Sequence, residues 1–224
     1  MSRDLAAHKR QAGQQAAAAV EDGDVVGLGS GSTAATAISA LGERVANGLD
    51  VVGVPTSAQA ADLAREVGVP VRSLPDVPEI TVAIDGADQV AGTVLLKGGG
   101  AAHTREKVID TAANRFHVVV DRTKVVDEIT DPIPVEILPD ARPLVMSEIT
   151  RLGGTPAIRR VSNGPLVTDN GNHVLDADFG TVSDPTAIAG KLASLPGVIE
   201  HGLFLDVADM VYIGGPDGVS VREV

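Results

Sequence analysis

The stretch "LLKGGGAAHTREKVID", Leu95 to Asp110, sets three consecutive glycines between a lysine and a helical pattern. Gly98, Gly99 and Gly100 lose much conformational freedom on folding, so keeping them together implies a backbone that must work at close quarters. Lys97 stands before them as a cation at a strand end, and Glu106 falls in the early turns of the following helix. A carboxylate near a helix N-terminus is favoured in its ionised form, which a general base requires. A lysine, exposed glycine N–H donors and an ionised carboxylate in that order suit a site with a general base beside backbone donors. The competing reading is a plain loop followed by a solvated helix face carrying Glu106 and Lys107. Three adjacent glycines count against it.

Two further stretches carry chemistry. "GLGSGSTA", Gly27 to Ala34, lies between an apolar run and an Ala-rich helix. Its glycines let backbone N–H groups approach an anion, and Ser30, Ser32 and Thr33 add hydroxyl donors at a helix N-terminus. A dinucleotide fingerprint needs glycine at position 32, which is serine; a Walker loop needs a lysine where Gly31 or Ser32 stands. Neither nucleotide route fits, and a tight turn with a helix cap remains the simpler alternative. In "VAIDGADQV", Asp85 and Asp88 flank Gly86 and Ala87. They suit acid–base groups, a metal pair or turn residues. His8, His103, His117, His173 and His201 are scattered, and none is spaced to complete a metal site with them. Lys124, three residues past "VVVD", offers one more cation near a strand end, or an ordinary surface lysine.

Elements to position these residues are legible as alternating signals. Strand candidates are "DVVGLG", "LDVVGVP", "VPVRSL", "EITVAID", "GTVLLK" and "FHVVVD", with helical patterns after the first, second and fifth. Such alternation predicts an α/β fold with a doubly wound, mostly parallel, Rossmann-like sheet. Ligands of such sheets sit beyond the carboxyl ends of the strands, where Gly29, Asp85, Lys97 and Asp121 are expected. Prolines in "TDPIPVEILPDARP" mark a change of regime. Beyond it come a strand (135–138), a helix (141–152), a strand (156–161), a hairpin turning at Asn170-Gly171, a helix (185–195) capped by Asp184, and the strand "GVIEHG". That β-α-β-β-α-β order predicts a smaller ferredoxin-like α+β domain. The tail "ADMVYIGG" reads as a strand returning to the main sheet. The expected division is residues 1–131 plus 204–224 for the larger domain and 132–203 for the smaller.

Composition narrows the partners. The 224-residue chain is 44% hydrophobic and carries a net charge of −12, against nucleic acid or an anionic membrane as partner. An anionic ligand must therefore be held by local donors. No apolar run approaches the roughly 20 residues of a membrane span, and the N-terminus lacks a signal peptide's apolar core, so a cytoplasmic protein is expected. With no cysteine, disulfides and thiolate chemistry are excluded. Lysine is confined to Lys9, Lys97, Lys107, Lys124 and Lys191; an acidic, lysine-poor surface suits a high-salt cytoplasm, and a low-lysine genome gives much the same count.

Taken together, "GLGSGSTA", "GVPTS", "DGAD", "LLKGGGAAHTREK", "VVVDRTK", "PIPVEILP", "LVTDNGNHVLD", "LPGVIEHGLF" and "GGPDGV" resemble the type A family of ribose-5-phosphate isomerases, in the family's order and over nearly the whole chain. The resemblance implies an aldose–ketose isomerase of the non-oxidative pentose phosphate pathway. It would interconvert D-ribose 5-phosphate and D-ribulose 5-phosphate through an enediolate, with no cofactor and no metal. It places Glu106 as the proton acceptor and Asp85, Lys97 and Asp88 as further catalytic groups. Substrate contacts fall on Ser30, Gly31, Ser32, Thr33, Asp85, Gly86, Ala87, Asp88, Lys97, Gly98, Gly99, Gly100 and Lys124, with Lys9 a looser match near the phosphate. A homodimer or homotetramer is the expected assembly. Two departures stand out: His103 replaces an apolar residue and is a candidate titrating neighbour, and Ser30 replaces a threonine. The rivals are a related sugar-phosphate isomerase, deaminase or lactonase, and a sugar-phosphate sensor that could dispense with the base.

Overall fold

The computed structural model describes residues 2–224. Helix α1 (Ser2–Ala18) leads to β1 (Val25–Leu28), α2 (Gly31–Ala46), β2 (Val52–Pro55), α3 (Ala58–Glu66) and β3 (Val82–Gly86). A hairpin of β4 (Gln89–Ala91) and β5 (Val94–Leu96) precedes α4 (His103–Ala112) and β6 (Phe116–Asp121). There follow β7 (Ile133–Ile137), α5 (Arg142–Arg151), β8 (Thr155–Ile158), the short arms β9 (Arg160–Val161) and β10 (Gly164–Pro165), and β11 (His173–Asp178). The chain ends with α6 (Pro185–Ala193), β12 (Val198–His201), β13 (Leu203–Leu205), β14 (Met210–Gly215) and β15 (Gly218–Glu223). Among the described residues, no helix is long and apolar enough to cross a membrane.

Two compact units result. The first holds residues up to Ala87, Arg105–Val125 and Asp206–Val224. Its six-stranded sheet runs β15-β14-β6-β3-β1-β2, parallel throughout except for the β14–β15 pair. Helix α2 buries Ala37, Ile38, Ala40 and Leu41 in a core with Val26, Leu28, Val82, Ile84 and Val119. The tail strand does return to this sheet, with Val211 opposite Val118.

The second unit holds Asp88–Thr104 and Val126–Leu205. Its four-stranded antiparallel sheet runs β12-β7-β11-β8, which is the 4-1-3-2 order of a ferredoxin-like domain. Every residue of β7 is buried, and Ile133, Val135 and Ile137 pack with Val145, Ile149, Leu175 and Leu192.

Three expectations need correcting. The segments 88–104, 126–131 and 204–205, expected in the larger domain, fall in the second unit, where β5 pairs antiparallel with β4 and β13 in a sheet of its own. Lys97 therefore follows a strand of that small sheet, not one of the parallel sheet. "VPVRSL" forms no strand: Val71 makes a lone bridge to Gly53 before Leu74–Asp76 turn through a 3-10 helix. Finally, the strand expected over 156–161 is interrupted at Arg159, between β8 and β9.

Candidate active site

The chemistry-bearing residues divide between the units. In the first, β1 passes through Gly29 into α2. A Cβ at Gly29 would lie 2.1 Å from Asp85 Oδ1, so only glycine fits. Asp85, 1% exposed at the end of β3, accepts the N–H groups of Ser30 at 3.0 Å and Gly86 at 2.6 Å on that oxygen. These bonds fix the carboxylate between β3 and the start of α2. Ser30 stands where a serine usually caps a helix, yet its side chain makes no capping bond. Its hydroxyl instead lies 2.7 Å from that of Thr56 and donates to Ser57 at 2.8 Å. Ser57 by contrast caps α3 through the Ala60 N–H, and Asp184 caps α6 through that of Ala187. The first-turn N–H groups of α2 are thus left to face an anion, with the positive end of the helix dipole behind them.

Cations and hydroxyls collect at the same helix start. Lys9 reaches from α1, its ammonium donating to Ser32 Oγ at 3.0 Å and lying 4.0 Å from Asp121. Asp121, at the end of β6, accepts the Thr123 N–H at 2.9 Å and forms the turn that ends on Lys124. Gly86 leaves room beside Thr33: a Cβ there would lie 3.9 Å from that of Thr33. Glu106 is buried in the first turn of α4.

In the second unit the glycine loop is held by side chains. Lys97 is 2% exposed, with its ammonium 5.3 Å from the centre of the Phe204 ring, a cation–π arrangement. Its backbone N–H donates to Gly202 O at 2.8 Å. Gly98 has φ of +102°, and a Cβ there would lie 2.7 Å from Nδ1 of the buried His103. Gly99 donates its N–H to Asp88 Oδ2 at 2.7 Å. That bond ties the middle glycine of the loop to Asp88.

Just past the loop, the Thr104 hydroxyl donates to Glu136, which is wholly buried on β7. Glu136 also accepts from Thr168 Oγ1 at 2.8 Å, Asn170 Nδ2 at 3.1 Å and Asn172 Nδ2 at 2.9 Å. Burial alone would push its pKa up; the four side-chain donors outweigh that and hold it below the usual carboxylate value. Sequence reasoning gave no role to Glu136, nor to Thr56, Ser57, Arg159 or Asp176. "PVE", a carboxylate in an unbroken apolar strand, was the available signal for Glu136, since a buried charge needs partners. Among the described residues no group of three His, Asp or Glu side chains is placed to hold a metal ion.

Against known proteins, residues 52–218 match the family model described as ribose 5-phosphate isomerase A (phosphoriboisomerase A). The chain is 56% identical over 218 residues to ribose-5-phosphate isomerase A of Haloarcula marismortui, covering 96% of this chain and 95% of that protein. Its fold matches a D-ribose-5-phosphate isomerase solved in complex with phospho-erythronic acid, at 42% identity and a TM-score of 0.96 over 98% of this chain and 99% of that one. It also matches the ribose 5-phosphate isomerase A of Methanocaldococcus jannaschii, at 39% identity and a TM-score of 0.93 over 97% and 99% of the two chains.

Proposed function

The chain belongs to the ribose 5-phosphate isomerase A family, and from that premise we propose how it interconverts D-ribose 5-phosphate and D-ribulose 5-phosphate. The observation that carries the reading is a buried carboxylate, Glu106, in the first turn of a helix entered directly from the Lys97–Gly100 loop. Glu106 takes the proton from C2 of the open-chain aldose and returns it to C1. Lys97, with the N–H groups of Gly98 and Gly100, stabilises the enediolate oxygen; one such donor is typically worth about 3–4 kcal/mol at the transition state. Asp85 moves hydroxyl protons and assists ring opening, its plane fixed by Ser30 and Gly86. Asp88 acts through Gly99, whose N–H it holds. The start of α2, from Gly31 to Thr33, takes the phosphate together with Lys9 and Lys124. Gly86 and Ala87 carry the backbone past the sugar.

The same proposal makes the enzyme a cytoplasmic homodimer or homotetramer acting on a free sugar phosphate, with no nucleic acid or membrane partner. The −12 net charge supports the last point.

Ribose 5-phosphate deuterated at C2 tests the proton's route. One carboxylate serving both carbons passes part of the label to C1 of the ribulose product on a single prochiral face and loses the rest to water. Complete transfer with no solvent exchange, the mark of a hydride shift, would refute Glu106 as the base. Activity is expected to survive exhaustive chelation with EDTA. Loss of activity restored by a divalent ion would return Asp85 and Asp88 to the status of ligands.

A further inference from the structure

Nothing in the proposed chemistry uses Arg159, yet it touches the loop that chemistry depends on. Its Nη1 donates to two successive loop carbonyls, Gly98 O at 2.6 Å and Gly99 O at 3.1 Å, across 61 and 60 positions of sequence. The other edge of the guanidinium makes a two-pronged pair with Asp176, Nε to Oδ2 at 3.1 Å and Nη2 to Oδ1. Both partners stand on fixed backbone. Asp176 lies in β11 opposite Ala157, and Arg159 binds Val174 O and the Leu166 N–H through its own main chain, each at 2.9 Å.

Peptide planarity gives this contact a consequence. In a trans peptide the carbonyl of one residue and the N–H of the next lie in one plane and point in opposite directions. Holding Gly98 O therefore aims the Gly99 N–H, which meets Asp88 on the far side at 2.7 Å. Holding Gly99 O likewise aims the Gly100 N–H. Glycine has no side chain with which to pack such planes in place, so the orientation must come from outside the loop. A planar fork of donors can hold two acceptors on one edge and a carboxylate on the other; an ammonium cannot.

We propose that Arg159, held by Asp176, is a positioning residue for the isomerisation: it fixes two peptide planes of the glycine loop so that the Gly100 N–H points at the enediolate oxygen. This rests on the function proposed above. Without the guanidinium the loop keeps its sequence and its sugar, but its donor is no longer in place when charge develops.

The test compares wild type, Arg159→Met, Arg159→Lys and Asp176→Asn in turnover of ribose 5-phosphate and in inhibition by phospho-erythronic acid, whose carboxylate stands in for the enediolate. Wild type must first isomerise ribose 5-phosphate; if it does not, the functional reading fails before the variants are considered. For Arg159→Met, kcat falls about 10- to 100-fold and inhibitor affinity falls by a similar factor, while KM moves less than about threefold. Arg159→Lys recovers only a small part. Asp176→Asn, which keeps the guanidinium and loosens its anchor, shifts kcat and inhibitor affinity together by about two- to fivefold, and it decides the matter if Arg159→Met does not fold. An active wild type whose Arg159→Met or Asp176→Asn variant loses turnover with inhibitor affinity unchanged, or loses neither, overturns the proposal.

Discussion

Between Gly29 and Thr33 the chain is held by its immediate structural neighbours. The strand before it and the helix after it set the backbone, Asp85 at the end of the adjacent strand takes the Ser30 N–H, and hydroxyls from Thr56 and Ser57 hold the Ser30 side chain. Between Lys97 and Ala101 the same task is done from a distance. That loop leaves a short antiparallel strand, adopts positive φ at Gly98 and Ala101, and is fixed by Asp88, by Arg159 with Asp176 behind it, and by Glu136 just past its end. The first loop is a product of local strand–turn–helix geometry, the kind that cradles phosphate. The second turns at positive φ where no regular element sets it, and bonds from Asp88, Arg159 and Glu136 hold it. On the proposed assignment the first loop holds phosphate, which is bound alike in ground and transition states and so bears on KM. The second then stabilises the enediolate, which belongs to the transition state alone and so bears on kcat.

The largest effect expected separates those two burdens. Glu106→Gln keeps the size of the side chain and removes the lone pair that accepts the proton. Turnover should fall by about 10³-fold or more, near the upper end for a general base, with KM close to wild type. Steady-state kinetics of the purified variant check it; turnover within tenfold of wild type would dissolve the assignment of chemistry to the second loop and its helix. The reverse case is Lys124→Ala. Loss of one charge-assisted bond, about 1.5–3 kcal/mol, should raise KM roughly 10- to 100-fold and leave kcat within about threefold. A loss confined to kcat would place Lys124 with the second loop and break the contrast.

The same contrast explains what the sequence revealed. The turn from β1 into α2 was legible because "GLGSGSTA" joins an apolar strand to an Ala-rich helix, and the pattern itself names the strand–turn–helix geometry. The ferredoxin-like order was legible for a similar reason: turn residues such as Asn170-Gly171 and the Asp184 cap punctuate its elements. Lys97 was misplaced onto the parallel sheet because "GTVLLK" is apolar in either setting, and a three-residue strand carries no signal of its partner's direction. Arg159 could not have been found by periodicity. Its chemistry is a bond across 61 positions, made where a strand breaks, and neither local propensity nor spacing encodes such a contact.

Glu136→Gln sharpens the contrast from the strand behind the second loop's end, with the smallest effect on catalysis. Glu136 anchors Thr104 and the 168–172 turn, whereas Arg159 anchors the peptide planes themselves. Its replacement should cost stability while leaving kcat within about threefold. An amide set among four donors satisfies fewer of them than a carboxylate, at about 1–3 kcal/mol. The sign with pH follows from its depressed folded-state pKa. The unfolded chain binds the proton more readily than the native one, so the stabilisation by Glu136 is complete above its ordinary value near 4.5 and is lost as pH falls through the lower folded value. Denaturation midpoints taken from about pH 6 down to about pH 3.5 should therefore show the gap between wild type and Glu136→Gln narrowing below about pH 4.5. A gap that stays constant to the acid end would mean that the carboxylate's charge is not what its donors stabilise. A tenfold fall in kcat for this variant would mean that the two anchors of the loop share one task, and that Arg159 does not set the peptide planes alone.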